Sequence, residues 1–212
     1  MGNEFFKALA IAFQQLHTTV VKASSLRLRS GREFSLLRPD FVGVPLGDMV
    51  GALAFKCRFS GQVQRFWTVA QHLLLCDVVA QSDGLNAEQR LPVVLHDLHE
   101  CVTGDVSRPM RAVCPQFQRI EAGCQRAIGR AFRVDFDAFG AIVDEIDDAV
   151  LWFEQRNLGV LPPIPPTNVR DVTGICREAF DDLIALSPAN VQTRLTGLIA
   201  SLTLSTGREL CG

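Results

Sequence analysis

The chain has 212 residues, of which 48% are hydrophobic and 21% are charged, and its formal net charge at neutral pH is −2. This composition is typical of a globular protein with one sizeable core, and it excludes a disordered chain. The near balance of charge excludes the strongly basic surface that nucleic-acid polymers require, so we expect no such partner.

The cysteines and the N-terminus bear on the compartment. The seven cysteines are an odd number, and no two of them are spaced as CxxC. We therefore expect neither a disulfide framework nor a thiolate zinc site, and we expect a reducing compartment. No apolar run approaches the ~20 residues of a membrane helix, and Glu4 stands where a secretory signal carries positive charge. These features predict a cytoplasmic protein without membrane contact.

Apolar residues recur at the spacing of an α-helix over most of the chain. The segments with this pattern are Glu4–Leu16, Leu46–Phe59, Arg65–Ser82, Ala87–Asp105, Cys114–Phe132, Phe136–Gln155, Val169–Leu186 and Ala189–Leu202. Leu26–Leu37 instead alternates apolar and charged residues around a Ser-Gly pair, which predicts a short β-hairpin. Gly104 predicts the end of the fourth helix. The fold class is therefore mostly α, with one small β element near the N-terminus.

A proline-rich segment divides the predicted helices into two groups. Four prolines lie between Leu158 and Asn168, and they interrupt any helical pattern. We therefore predict a core of residues 1–160, which includes the N-terminal helix and the hairpin, and a helical extension of residues 161–212. The extension has few residues of catalytic type, so we expect it to pack on the core or on a partner subunit.

The segment VLHDLHECVTGD concentrates histidines and acids in an otherwise apolar stretch that begins at Val94. In a helix, His96, His99 and Glu100 share one face, and Asp97 lies one step around it. An imidazole and a carboxylate from one helix provide two metal ligands, whereas a first-row metal ion needs more ligands from elsewhere. The segment therefore predicts half of a metal site.

Two other predicted helices offer the missing ligands. His72 is the one imidazole on an otherwise largely apolar helix. The helix that begins near Phe136 carries several acids among apolar residues, and these are Asp144, Glu145, Asp147 and Asp148. The order of ligand types along the chain is then His, His-Asp and Asp.

This order, together with five short motifs, resembles the HD-domain phosphohydrolase superfamily. The motifs are SGREF, LGDMVGALAFKCRFSG, RFWTVAQH, VLHDLHECVTGDVSRP and VDEIDDAVLWFE, and they follow one another between about Ser30 and Glu154. Within the superfamily the chain is similar to the small bacterial YfbR-type 5′-deoxynucleotidases and to the phage-encoded DatZ-type dATP triphosphohydrolases. The resemblance implies the helical HD-domain fold.

The resemblance also implies roles for individual residues. The implied metal ligands are His72, His96, Asp97 and Asp147, with Asp147 preferred to Asp144 and Asp148 because the family carries an Asp seven residues before a Glu, here Glu154. The other implied residues are Glu100 as acid or base, Asp105 as a carboxylate that contacts the sugar or orients water, Arg58 as a phosphate-binding group and Arg111 as a second group within reach of phosphate. The implied cofactor is a divalent ion, and mixed nitrogen and oxygen ligands accept Mn, Co, Zn, Fe or Mg.

The activity implied by the resemblance is metal-dependent hydrolysis of deoxynucleotides. We favour a triphosphohydrolase that acts on a purine dNTP such as dATP. The alternatives are a 5′-deoxynucleotidase, a hydrolase of another phosphorylated signal nucleotide, and a non-catalytic HD module that binds a nucleotide or a partner. The presence of Glu100 and of all four implied ligands disfavours the last, and a Gly-Tyr-Pro cyclic-dinucleotide phosphodiesterase is disfavoured because the chain has no tyrosine. Apolar helices outside the matching region predict a homo-oligomer.

Overall fold

The computed structural model of the protein describes residues 2–160 and 168–209. Within these ranges it contains ten α-helices and one antiparallel two-stranded sheet, which confirms the mostly α class. The elements are α1 (Gly2–Ala23), β1 (Ser25–Arg27), β2 (Glu33–Ser35), α2 (Leu46–Leu53), α3 (Val69–Ser82), α4 (Ala87–Leu95), α5 (Glu100–Thr103), α6 (Arg108–Val113), α7 (Pro115–Phe132), α8 (Phe136–Asn157), α9 (Thr173–Ile184) and α10 (Pro188–Ser205). None of the helices described combines the length and apolarity that a membrane span requires.

The predicted β-hairpin is confirmed. Strands β1 and β2 pair antiparallel, with Leu26 opposite Phe34. The turn between them contains Gly31 at a φ of +87°, a left-handed conformation that glycine adopts without steric cost. The amide of Gly31 donates a hydrogen bond of 2.9 Å to the carbonyl of Leu28. Because Phe34 is buried in the main hydrophobic cluster, the hairpin packs against the core.

Helix α3 lies at the centre of the molecule and contacts α2, α4, α8, α9 and α10. Leu73 packs into one hydrophobic cluster with α2, α4, α7 and α10, and Val79 packs into a second cluster with α8 and α9. The helix begins at Val69 and not at the predicted Arg65, because Thr68 forms a reciprocal capping box with Gln71. A polar side chain on α3, such as that of His72, is therefore surrounded by packed helices.

The predicted helix over Leu46–Phe59 is wrong in its second half, because α2 ends at Leu53. Cys57 instead forms an isolated β-bridge with Thr68, and the amide of Arg58 donates to the carbonyl of Trp67 at 2.9 Å. The next residue, Phe59, has a φ of +58°, which a right-handed helix cannot contain. This pairing places Arg58 beside the N-terminus of α3.

The predicted continuous helix over Ala87–Asp105 is also wrong. It ends at Leu95, passes through a tight turn and resumes as α5, which Gly104 ends as predicted. The ring nitrogens explain the break, since His96 Nδ1 lies 2.7 Å from the Val93 carbonyl and His99 Nδ1 lies 3.0 Å from the His96 carbonyl. In a continuous helix those two carbonyls would accept from backbone amides four residues later, so the side chains compete with the helix.

The two C-terminal helices pack directly on the rest of the chain. Helix α9 contacts α3 and α8, and α10 contacts α2, α3 and α4. Leu195 and Ile199 of α10 are fully buried in the same cluster as the hairpin. The predicted boundary after residue 160 adjoins residues 161–167, which lie outside the described residues, as do all four prolines that motivated it.

The six cysteines that the structure describes are free thiols, and Cys211 lies outside the described residues. Burial raises the pKa of Cys101 above its usual range and raises that of Cys76 to about 11. A thiol with a raised pKa is a weak nucleophile and a weak metal ligand at neutral pH. Cys76 and Cys101 therefore act as small core residues.

Candidate metal centre and active site

Three residues from three elements meet at the centre of the molecule. His72 on α3, His96 just after α4 and Asp147 on α8 each offer one ligand atom, and these atoms lie within 4.8 Å of one another. The Oδ1 atom of Asp147 is 3.2 Å from His72 Nε2 and 3.8 Å from His96 Nε2. They converge because α4 and α8 both pack on α3. This cluster, called the metal cluster below, can hold a metal ion.

The orientation of both imidazole rings suits metal binding. His72 Nδ1 donates to Glu154 Oε1 at 2.8 Å, and His96 Nδ1 donates to the Val93 carbonyl at 2.7 Å. Because the acceptors hold one proton on each Nδ1, Nε2 is the atom that presents a lone pair to a metal ion when the rings are neutral, and both Nε2 atoms face the metal cluster. His96 Nε2 is buried and makes no hydrogen bond within the described residues. A metal ion would satisfy it.

Asp97 joins the three residues of the metal cluster. Its Oδ2 atom is 3.3 Å from His96 Nε2 and 3.8 Å from His72 Nε2. Although burial favours the neutral acid, the positive charge of neighbouring His96 holds the pKa of Asp97 well below its usual range. The four predicted ligands are thus together, and two nitrogens with two carboxylates form a set that divalent first-row ions accept. The role of each as a ligand stays a prediction.

The other acids of α8 point elsewhere. Asp148 is exposed and pairs with Arg108 at 2.9 Å, and Asp144 is exposed at the rim of the cleft above the metal cluster. Only Asp147 among the three candidate aspartates contacts an imidazole of the metal cluster. Burial opposes ionisation of Asp147. In the metal-free protein, where both rings carry a second proton, the hydrogen bond from His72 and the charge of His96 lower the pKa of Asp147 to about 2.

A residue that the sequence used only as a spacing marker, Glu154, supports the metal cluster from behind. It is fully buried and accepts three hydrogen bonds, from His72 Nδ1 and Trp67 Nε1 at 2.8 Å each and from Arg58 Nε at 3.1 Å. Burial opposes its charge, but Arg58 and His72 lower its pKa. A signal was present, since Glu154 lies seven residues after Asp147 and therefore on the same helical face, among apolar neighbours.

Arg58 connects this buried carboxylate to the cleft. Its Nε donates to Glu154, its NH1 lies 3.4 Å from Asp97 Oδ2, and its side chain is only 7% exposed. Burial alone would lower the pKa of Arg58, but the surrounding carboxylates raise it, so the guanidinium stays charged. Arg58 also lines the cleft beside the metal cluster. A fixed cation next to a metal site suits the binding of a phosphate.

Glu100 and Asp105 both line the same cleft, and their roles stay a prediction. Glu100 is buried, and its Oε2 makes no hydrogen bond within the described residues. Burial and the negative charges of Asp97 and Asp105 raise the pKa of Glu100 well above its usual range. Asp105 accepts a hydrogen bond of 3.2 Å from the Phe59 amide, and burial raises its pKa as well.

The cleft has a volume of about 440 Å³, which falls within the usual range for small-molecule sites. Arg111 lines it, but its NH1 donates to Glu121 at 3.0 Å, so a carboxylate already offsets the predicted phosphate-binding charge.

His99 is the residue whose position departs most from the prediction of a continuous helix. The tight turn brings Asp97 beside His96, whereas His99 faces Glu121 on α7.

Comparisons with known proteins found two bacterial proteins with similar sequences. The chain is 26% identical over 179 residues to the uncharacterized protein YfdR of Escherichia coli, an alignment that covers 77% of this chain and 97% of that relative. It is 33% identical over 96 residues to an uncharacterized protein of Rhodobacter capsulatus, covering 43% of this chain and 49% of that relative. No family model matches the chain. Neither relative's name states an activity, so the site itself carries the functional argument.

Proposed function

We propose that the protein is a metal-dependent phosphohydrolase of deoxynucleotides. The observation that carries the proposal is the metal cluster, in which two imidazole Nε2 atoms face two carboxylates at the base of a cleft that also contains Arg58 and Glu100. Neutral imidazoles and carboxylates hold a divalent ion and leave coordination positions for other groups. Such an ion supplies positive charge to a phosphoryl oxygen and lowers the pKa of water.

Three side chains of the cleft would bind the phosphate, transfer the proton and orient the sugar or water. Arg58 binds a phosphate oxygen through the part of its guanidinium that faces the cleft, and Glu154 fixes its orientation from behind. Glu100, with its raised pKa, holds a proton near the reacting phosphate and transfers it to the leaving oxygen. Asp105, anchored on the Phe59 amide, orients the sugar or the attacking water.

Within this class we favour a triphosphohydrolase that acts on a purine dNTP such as dATP. The preference follows the resemblance to DatZ-type enzymes, and the alternatives are a 5′-deoxynucleotidase and a hydrolase of a signal nucleotide. All three would use the same metal cluster. The triphosphohydrolase and the 5′-deoxynucleotidase break the same bond, between the 5′-oxygen and the α-phosphorus, and they differ in whether the substrate carries three phosphates or one. A non-catalytic nucleotide-binding module would have no need of the buried carboxyl group of Glu100 in the cleft.

Product analysis tests the proposal. The metal-free protein is restored with Mn²⁺, Co²⁺, Zn²⁺, Fe²⁺ or Mg²⁺ and incubated with each dNTP and dNMP, and the products are separated by chromatography. Deoxynucleoside plus triphosphate from a dNTP is the expected result. Deoxynucleoside plus phosphate from dNMPs alone would establish the 5′-deoxynucleotidase instead. Absence of turnover with every metal, while Glu100 is intact, would refute a deoxynucleotide hydrolase.

A further inference from the structure

One wall of the cleft is polar and has no part in the function proposed above. It is formed by His99, Arg111 and one face of α7. The residues on that face are Gln118, Glu121, Ala122 and Gln125, which are spaced so that a single helical surface carries them all. The small side chain of Ala122 leaves room between the polar groups. A second open groove, of about 750 Å³, continues from Ala122 and Gln125 along α7.

His99 directs an unpaired acceptor at this wall. Its Nδ1 lies 3.0 Å from the His96 carbonyl oxygen, which can only accept, so Nδ1 carries the proton. In the neutral ring, Nε2 is therefore a hydrogen-bond acceptor. The side chain is only 6% exposed, and Nε2 has no hydrogen-bond partner within the described residues. Buried polar atoms without a partner are rare in folded proteins, so this acceptor requires a physical explanation, and binding of a donor from a ligand is one.

A second acceptor stands beside the first. Glu121 Oε1 lies 3.7 Å from His99 Nε2, a distance too long for a hydrogen bond between them. Arg111 NH1 holds the same oxygen at 3.0 Å, so the carboxylate is fixed in place and its charge is offset. Two fixed acceptors at this separation are satisfied by one N–H or O–H donor placed next to both.

We propose that His99 and Glu121 form a subsite that accepts a hydrogen bond from the nucleoside part of the substrate; the inference rests on the proposed function. The donor is an N–H or O–H group, and a deoxynucleotide carries it either as the 3′-hydroxyl of the sugar or as the exocyclic amine of the base. This subsite sets specificity, because a substrate without the donor leaves the buried acceptor of His99 unpaired.

Three ligands separate the two sources of the donor. They are the 2′-deoxyadenosine nucleotide, its 2′,3′-dideoxy analogue, and the corresponding 2′-deoxynucleotide in which unsubstituted purine replaces adenine, so that the amine is absent. Each is tested at kcat/KM with native Glu100 and, for binding without turnover, by calorimetry on the Mn²⁺-loaded Glu100→Gln protein. The native protein should prefer the parent nucleotide over one analogue by about tenfold or more.

The variants identify His99 as the group responsible. His99→Phe keeps the ring volume and removes the acceptor, so the preference over the relevant analogue should vanish, whereas His99→Gln should restore part of it. Ser107→Ala, an exposed change at the mouth of the cleft, should leave the preference unchanged. If His99→Phe fails to fold, Glu121→Gln and the native protein with the three ligands give the same comparison.

Each outcome decides something definite. If His99→Phe loses the preference of the native protein for the parent over the dideoxy analogue, the donor is the sugar hydroxyl. If it loses the preference over the purine analogue, the donor is the exocyclic amine. Turnover with a preference below about threefold against both analogues, or an equal preference in native and His99→Phe proteins, overturns the subsite alone. A protein that neither binds nor hydrolyses any of the three nucleotides overturns the proposed function and the subsite together.

Discussion

Replacing Glu154 with glutamine should damage both stability and metal binding, because one buried carboxylate serves three donors. The amide keeps one acceptor oxygen, which His72 and Trp67 can still share, but it turns an N–H group toward Arg58 Nε. Removing one partner of a buried ion pair costs about 3–5 kcal/mol. Because Asp97 remains 3.4 Å from Arg58, we expect a loss near the lower end, about 3 kcal/mol.

The assays are urea unfolding and thermal unfolding of the metal-free protein, both monitored by circular dichroism. A loss of about 3 kcal/mol corresponds to a fall in Tm of about 6–12 °C for a chain of this size. Glu145→Gln, an exposed change on the same helix, is the matched control and should shift the free energy of unfolding by less than about 0.5 kcal/mol. If the two variants had the same free energy of unfolding, the buried carboxylate of Glu154 would not stabilise the protein as proposed.

A metal titration separates orientation from stability. Loss of the partner that orients a metal-ligating histidine lowers affinity by about 10–100-fold, so Mn²⁺ or Co²⁺ should bind Glu154→Gln that much more weakly at temperatures where the variant is folded. In the double variant with Arg58→Gln, the stability loss should be smaller than the sum of the single losses, since the two residues form one pair. Unchanged affinity together with strict additivity would refute the proposed coupling.

Further predictions concern the ligands and the acid. Asp147→Asn should abolish metal binding, whereas Asp144→Asn on the same helix should retain it; equal affinities, measured by calorimetry, would remove Asp147 from the ligand set. Glu100→Gln should keep the metal and lose turnover by about 10²–10⁴-fold, and full turnover would exclude its acid or base role. Burial and Arg58 disfavour a proton on His72, and burial disfavours one on His96, yet nearby carboxylates raise the pKa of both. Protonation of these rings therefore stabilises the metal-free protein fully below the unfolded pKa of about 6.5, and this contribution is lost as pH rises through the raised values. Metal binding at neutral pH should then release protons, and calorimetry in buffers of different ionisation enthalpy should detect at least one; zero release would contradict the raised values.

The sequence predicted elements well where a local signal controls the backbone. The alternation on either side of Gly31 identified the hairpin, and Gly104 marked a true helix end. The errors arose where side chains compete with backbone hydrogen bonds. The rings of His96 and His99 take carbonyls that a helix needs, and the pairing of Cys57 with Thr68 straightens a segment whose apolar spacing looked helical.

The candidate site was predictable in residue type but not in arrangement. Helical spacing placed His99 on the face of His96, whereas the tight turn puts Asp97 there instead. The partners of Arg58 and Arg111 depend on how α7 and α8 pack, which no local pattern encodes. For that reason the partners of Glu154 and of Glu121, which are remote in sequence from both acids, could be found only from the structure, although the spacing from Asp147 already marked Glu154.

The indole of Trp67 gives the metal centre a spectroscopic reporter of its own. Trp67 is fully buried, packs on Phe180 with ring centroids 4.8 Å apart, and donates to the carboxylate that also accepts from His72. A divalent ion bound at His72 would draw electron density from this carboxylate, which would change the electric field at the indole and therefore its emission energy. The only other tryptophan, Trp152, is partly exposed, so Trp152→Phe leaves one fluorophore that reads metal loading directly, without an attached dye.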